Sequence, residues 1–138
     1  MKLDQRLFQK KDFTKNDLDK LLANSSRDLH IAKKSRIPEV IFKFSYDAFL
    51  KACITIIAFQ GYRAMSKRGH HKAIISATKI VLGKQFRDML DYCDTMRRRR
   101  NIDLYGGGVL VSLSESKQFL EVVLMVHAEI KKRVSSKQ

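Results

Sequence analysis

Between Pro38 and Gly61 the chain is apolar almost all the way round. Its polar stripe is Lys43, Asp47 and Lys51, spaced four apart. Phe42, Phe49, Cys53, Ile56 and Ile57 fall on one side at helical spacing, and Phe44, Ala48, Ala52 and Phe59 cover another. A helix with so narrow a polar stripe has to be surrounded by other elements, because burial against one neighbour leaves too much apolar surface in water. Pro38 suits the first helical position, where its missing N–H costs nothing, and Gly61 suits the cap at the other end. The sequence therefore predicts a central helix running from Pro38 and Glu39 to Gln60, and the rest of the chain has to wrap it.

The remaining punctuation supplies the wrapping. Thr14 and Asp17 form a capping-box pattern that starts a helix running to about Lys34, with Leu18, Leu21, Leu22, Leu29 and Ala32 on its apolar face. After the glycines at 61 and 69, a third helix spans about His70 to Leu82, carrying Ile74, Ile75, Thr78, Val81 and Leu82. A fourth runs from about Lys84 to Asn101. The fifth starts near Ser114, with Ser112 and Glu115 as its capping box, and continues to Val134 with Phe119, Val123, Val126, Ile130 and Val134 as its seam. No segment alternates convincingly with a period of two, and the links are short, which implies antiparallel neighbours. The fold class is all-α: one up-and-down bundle of about five helices, with its core over roughly residues 15–132.

Size and composition agree. A chain of 138 residues with 44% hydrophobic and 30% charged residues has material for one core and too much of it for a disordered tail. The 28 Lys and Arg against 14 Asp and Glu leave a formal charge of +14. Such an excess repels itself unless something anionic gathers at the surface, and nucleic acid is the obvious candidate. The longest apolar stretch, Ala52 to Phe59, falls short of the roughly 18 residues a membrane span needs, so no membrane role is expected. The basic end of the fifth helix, Lys131-Lys132-Arg133, terminates a core-packed seam rather than an interfacial face. The opening Met1-Lys2-Leu3-Asp4-Gln5-Arg6 has no apolar signal core, and the expected location is cytoplasmic. Cys53 and Cys93, in neither a CxxC pair nor a disulfide ladder, read as core fillers.

The most informative stretch is Arg97-Arg98-Arg99-Arg100-Asn101-Ile102-Asp103-Leu104-Tyr105-Gly106-Gly107-Gly108. At about 100° per residue, Phe86, Leu90, Cys93, Arg97, Arg100 and Leu104 share one side of the fourth helix, while Arg98 and Arg99 diverge toward solvent. Guanidinium groups on an apolar face are costly unless they meet carboxylates, phosphates or a partner surface. A groove or a dimer interface would satisfy them. So would pairing with Asp88, Asp91 or Asp94, or with the carbonyls at the end of their own helix.

Phe44-Ser45-Tyr46-Asp47-Ala48-Phe49, then Gly61-Tyr62-Arg63, then Gly69-His70-His71-Lys72, then Arg97 to Tyr105, in that order, resembles a HEPN domain. The resemblance covers roughly residues 15 to 132. It implies a helical bundle that pairs as a homodimer. In the family's ribonucleases an Arg, then a polar residue, then a His four to six positions after the Arg face their own copy across a cleft. RNA is cleaved there without metal, the arginine holding the phosphate and the histidine handling protons. Arg100 and Asn101 match the first two elements, and Tyr105 stands where the histidine is expected. A phenol with pKa about 10 stays protonated at neutral pH and is poorly suited to accept a ribose proton, so the resemblance implies RNA or nucleotide binding with cleavage weakened or lost. His70 or His71, at the start of the third helix, is the alternative imidazole. Toxin members accept nucleotides from a partner nucleotidyltransferase on a tyrosine two residues after the histidine, where this chain has Gly107.

The site expected on this basis comprises Arg100, Asn101 and Tyr105 as catalytic residues, with Arg97, Arg98, Arg99, Arg100, His70 and His71 on the RNA phosphates. No cofactor or metal is expected: adjacent His70 and His71 diverge by about 100°, His30 and His127 lie on other helices, and no carboxylate cluster accompanies them. Gly106-Gly107-Gly108 lacks the Lys and Ser/Thr of a phosphate loop and reads as a turn. Three functions compete: an RNA-binding homodimer, an endoribonuclease toxin of a toxin–antitoxin or defence module, and a docking module for an acidic partner such as a nucleotidyltransferase antitoxin.

Overall fold

The computed structural model describes residues 2–67, 69–106 and 111–136, with 100–106 as backbone. Within these residues the chain forms five α-helices and one two-stranded sheet: β1 (Phe8–Lys10), α1 (Lys15–Lys34), α2 (Pro38–Phe59), β2 (Tyr62–Ala64), α3 (His70–Leu82), α4 (Arg87–Gly106) and α5 (Leu113–Ser136). The helical bundle expected from the sequence is what the chain builds.

The apolar character of α2 places it at the centre, packed by α1, α5, α3 and β2. Ala48, Phe49, Ala52, Cys53 and Ile56 on its opposite faces are all fully buried. Each large side chain removed from water in this way contributes about 1.5–3 kcal/mol. Pro38 opens the helix, and Gly61, with φ +90°, follows its end in the left-handed conformation that suits glycine. On α1 the capping box forms as expected: the Thr14 amide donates to Asp17 Oδ2 at 2.9 Å and the Asp17 amide to Thr14 Oγ1 at 3.1 Å. The buried face of α1 also carries two polar residues that periodicity does not flag. Ser25 Oγ donates to the Ala48 carbonyl at 2.8 Å, and Asp28 accepts from Lys51 at 2.7 Å, so α1 is tied to α2 by polar bonds as well as by leucines.

The link from α2 to α3 departs from the antiparallel hairpin that short connections imply. The Tyr46 hydroxyl meets His71 at the start of α3, and Cys53, one third of the helix further on, hydrogen-bonds with Thr78. The two helices therefore run parallel. Between them the described residues 60–67 lead back along the bundle, and β2 lies in that segment. There it pairs antiparallel with β1 in the register Phe8↔Ala64, Gln9↔Arg63, Lys10↔Tyr62. Bonds from the Lys11 amide to the Gly61 carbonyl and from the Met65 amide to the Leu7 carbonyl extend the ladder. Three-residue strands are too short to show alternation, which is why the sequence reading contains no sheet. Phe8 and Tyr62 anchor it to the core.

Gly83, with φ +90°, ends α3, and a 3₁₀ turn over Lys84–Phe86 leads into α4. The fourth helix thus begins three residues later than the sequence reading placed it and extends to Gly106 rather than Asn101. It folds back along α3: Lys79 pairs with Asp91, and Cys93 lies in the field of Cys53, the partner of Thr78. On α5 the Glu115 amide donates to Ser112 Oγ at 3.0 Å, and the whole predicted seam, Phe119, Val123, Val126, Ile130 and Val134, is 0% exposed. No helix among the described residues is long and apolar enough to cross a membrane.

Candidate functional site

The arginine run sits on the C-terminal half of α4, and its first members separate as helical geometry demands. Arg97, one turn after buried Cys93, has a side chain only 15% exposed and donates through Nε to Asp94 Oδ1 at 2.9 Å. Arg98 turns outward, 63% exposed, with Nη2 donating to Thr95 Oγ1 at 3.4 Å and Nε 4.0 Å from the other Asp94 oxygen. One carboxylate is therefore shared between two guanidinium groups.

Arg99 differs from the solvent-directed position expected for it. Its side chain is 32% exposed and forks onto Glu115, with Nη1 on Oε2 and Nη2 on Oε1 at 3.1 Å. Glu115 is also the capping-box residue of α5, receiving the Ser112 amide at 3.3 Å. Hydrogen bonds from Arg99 and then from the Ser112 amide hold its carboxyl well below the ordinary glutamate range, down to about 2. Arg99 and the Ser112 amide thus both meet Glu115, which ties α4 to the start of α5. The capping pattern made Glu115 visible in the sequence, but the cross-helix arginine did not follow from any spacing rule.

Arg100, Asn101 and Tyr105 lie on the backbone of α4, and their side chains fall outside the described residues, as does all of Gly107 and Gly108. The folding-back of α4 on α3 does fix where this end of the helix goes. His70 precedes Lys79 by nine residues and Arg100 follows Asp91 by nine, about 13 Å along each axis. The start of α3 and the arginine run accordingly point to the same end of the α3–α4 pair.

At that end His70 and His71 come together with a residue the sequence reading left out of the site. Tyr46, 1% exposed on α2, brings its hydroxyl to 3.1 Å from His71 Nδ1. The His71 ring meets His70 edge-on, with centroids 4.4 Å apart, and His70 Nδ1 lies 2.9 Å from the Lys67 carbonyl. The sequence carries the signal only in part: Tyr46 stands in the stretch that resembles the family, but its reach to α3 depends on the parallel return of the chain.

The two thiols take no part. Cys53 and Cys93 are fully buried, and burial pushes Cys53 up to about 12 and raises Cys93 as well, so both stay protonated and unreactive at neutral pH. Among the described residues no three His, Cys, Asp or Glu side chains gather as a metal site. No family model, curated protein or solved structure matches the chain, so the chemistry of this end of the bundle follows from its own residues.

Proposed function

We propose that this chain is a HEPN-like protein that pairs with a second copy of itself and binds single-stranded RNA, or a ligand bearing nucleotides, along the arginine face of α4. In this reading cleavage through the family's own motif is weakened or lost, because Tyr105 stands at the proton-handling position. The observation that carries the reading is the charge arrangement on α4. Among the described side chains, the three guanidinium groups of Arg97, Arg98 and Arg99 meet two carboxylates, Asp94 and Glu115. That leaves a surplus of cations at the end of the bundle where α3 begins. Phosphates relieve such a surplus with charge-assisted bonds, and the protein's formal +14 draws polyanions toward it over longer range. In this reading Arg98, whose side chain is exposed, contacts a backbone phosphate. Tyr105 supplies an aromatic ring on which a base can stack.

Labelled single-stranded RNA incubated with the purified chain at low and moderate salt, beside Arg100→Ala, tests this. Retention that falls steeply with salt and weakens in Arg100→Ala supports the proposal. Cleavage that Arg100→Ala abolishes would instead make the protein a ribonuclease of the family's usual kind, with a proton carrier other than histidine at position 105. Failure to retain RNA at any salt concentration would overturn the reading and leave docking of an acidic protein partner in front.

A further inference from the structure

Gly69, Lys72, Ala73, Ser76, Ala77 and Ile80 recur at spacings of three and four and so share one face of α3. Most of them are small, and they leave room against the segment that precedes β1. The result is a groove of about 380 Å³, at the lower end of the range for small-molecule sites. Leu3, Leu7 and Phe8 form its other wall, and Leu3, Phe8 and Ala77 are buried. Among the described residues that line it, Ser76 is the only uncharged polar side chain.

The two ends of this groove differ in charge. At the start of α3 the Lys67 ammonium donates to the Arg6 carbonyl at 3.0 Å, and Lys72 is exposed. The carboxylate on that wall, Asp4, is already taken up by Arg6. Its Oδ1 accepts from the Arg6 amide at 2.9 Å and from Nε at 3.2 Å, and its Oδ2 accepts from Nη2 at 3.1 Å. Lys67 and Lys72 are therefore in excess there. Ile80 stands eleven positions beyond Gly69, about 16 Å along the helix axis, and is 66% exposed. Beside it Lys79 is neutralised by Asp91. The distance is close to the length of one acyl chain, half of the roughly 30 Å hydrocarbon core of a bilayer.

We propose that this groove binds the single acyl chain of an anionic amphiphile, in the simplest case a fatty acid. The head group lies at the start of α3 beside Lys72, and the chain runs along Ala73, Ser76 and Ala77 toward Ile80. An acyl chain needs no hydrogen bonds, and the side chains of the walls offer only Ser76 for one. An acidic peptide would bring backbone N–H and C=O groups that each need a partner, so the lining favours the lipid. Lys2, exposed on the other wall, adds a stem that can cover the chain while its ammonium stays in water. The inference goes beyond RNA binding and is independent of it, since it uses neither the arginine run nor Tyr105.

Calorimetric titration of the full chain with dodecanoate, below its micelle concentration, tests this. Decanoate, butanoate, dodecyltrimethylammonium and an acidic amphipathic peptide are the comparison ligands. Dodecanoate binds at one site per chain. Decanoate, two methylenes shorter, binds about tenfold weaker, a little less than full burial of both groups would give. Butanoate is not held, and dodecyltrimethylammonium, with the same chain and the opposite charge, binds more weakly than dodecanoate. Lys72→Gln weakens dodecanoate by about threefold. Ser76→Phe fills the groove from an exposed position and abolishes binding, with melts of the ligand-free protein showing that it is folded. Ile80→Asp, at the exposed far end, weakens dodecanoate more than decanoate and carries the same comparison should Ser76→Phe fail to fold. Affinity independent of chain length, several equivalent sites per chain, or wild-type binding by both Ser76→Phe and Ile80→Asp overturns the groove as a lipid site. Equal binding of dodecyltrimethylammonium overturns the anionic head group. A chain that ignores dodecanoate overturns the proposal, and one that takes up the acidic peptide instead has a protein-docking groove on this face.

Discussion

The ammonium of Lys51 on α2 donates to the Asp28 carboxylate on α1 at 2.7 Å, and of the two side chains the aspartate is 2% exposed and the lysine 38%. The dry half of the pair depends on the wet half. Removing the lysine leaves a buried charge with its main compensation gone, so Lys51→Met lowers stability by about 3 kcal/mol, the low end for a broken buried pair because Lys51 is partly solvated. The double change Asp28→Leu with Lys51→Met recovers most of that loss, since no charge is then left in the interface. Urea melts of the three proteins read both effects as midpoint shifts at constant slope. A double variant as unstable as the single one would show that the pair matters for its packing and not its charge.

Glu115 gives the α4–α5 connection a dependence on acid. Arg99 and the Ser112 amide depress its folded-state carboxyl to about 2, so its contribution is complete above the ordinary glutamate value and is lost as pH falls toward 2. Glu115→Gln keeps the cap geometry and removes the charge. The melting temperature of wild type exceeds that of the variant at pH 7, and the gap closes between about pH 4.5 and 2. A gap that is constant with pH would mean that Arg99 is not paired with this carboxylate in solution.

A second window lies near neutrality. His127 on α5 is 8% exposed, with its Nε2 3.4 Å from Ser26 Oγ on α1. Burial first, then Lys131 and Lys33, lower its pKa below the usual histidine value. The folded state therefore prefers the neutral ring. Its stability is intact above the unfolded value of about 6.5 and declines as pH falls through that value and the lower folded one. His127→Gln, which cannot titrate, flattens the pH 5–7 part of the stability curve, and chemical denaturation at half-unit steps resolves it from the Glu115 window below.

The bundle was legible because its apolar seams are long. Phe119 to Val134 on α5 and Phe42 to Ile57 on α2 repeat at helical spacing for several turns, and α1 and α5 announce their starts with capping boxes at Thr14 and Ser112. The sheet was not legible, since Phe8–Lys10 and Tyr62–Ala64 are short and become strands only by pairing with each other across more than fifty residues. That omission hid the parallel course of α3, and with it the meeting of Tyr46 and His71. The site divides the same way. Helical periodicity separated Arg97 from Arg98 correctly, because both are governed by their own helix. It misplaced Arg99, whose position is set by Glu115 on a different one.

Arg133 closes the far end of α3. Its Nη1 and Nη2 donate to the Val81 and Leu82 carbonyls, each at 2.9 Å, while Nε is held by Glu129 at 2.7 Å. Two carbonyls that the end of a helix leaves without intrahelical partners are satisfied by one planar fork. Arg133→Met costs about 2 kcal/mol, and Arg133→Lys recovers only part of it, because one ammonium cannot reproduce the two parallel bonds. Thermal melts of both variants distinguish the fork from simple charge: an Arg133→Lys protein as stable as wild type would favour charge alone.

Arg98 separates binding from folding on the arginine face. It is the exposed partner of a carboxylate that Arg97 already occupies at closer range, so Arg98→Ala leaves Asp94 paired and shifts stability by no more than about 0.5 kcal/mol. If it contacts a phosphate, its removal weakens RNA binding without regard to sequence. The slope of log K against log salt then becomes shallower by about 0.7, the contribution of one contact to a single strand. Arg99→Ala, by contrast, both destabilises the α4–α5 connection and frees Glu115 to repel the ligand, so its binding loss comes with a lower melting temperature. Titrations of a labelled oligonucleotide at four or five salt concentrations, run beside melts of the same preparations, distinguish the two. An unchanged slope in Arg98→Ala would remove this side chain from the interface and place the contact elsewhere on the basic surface.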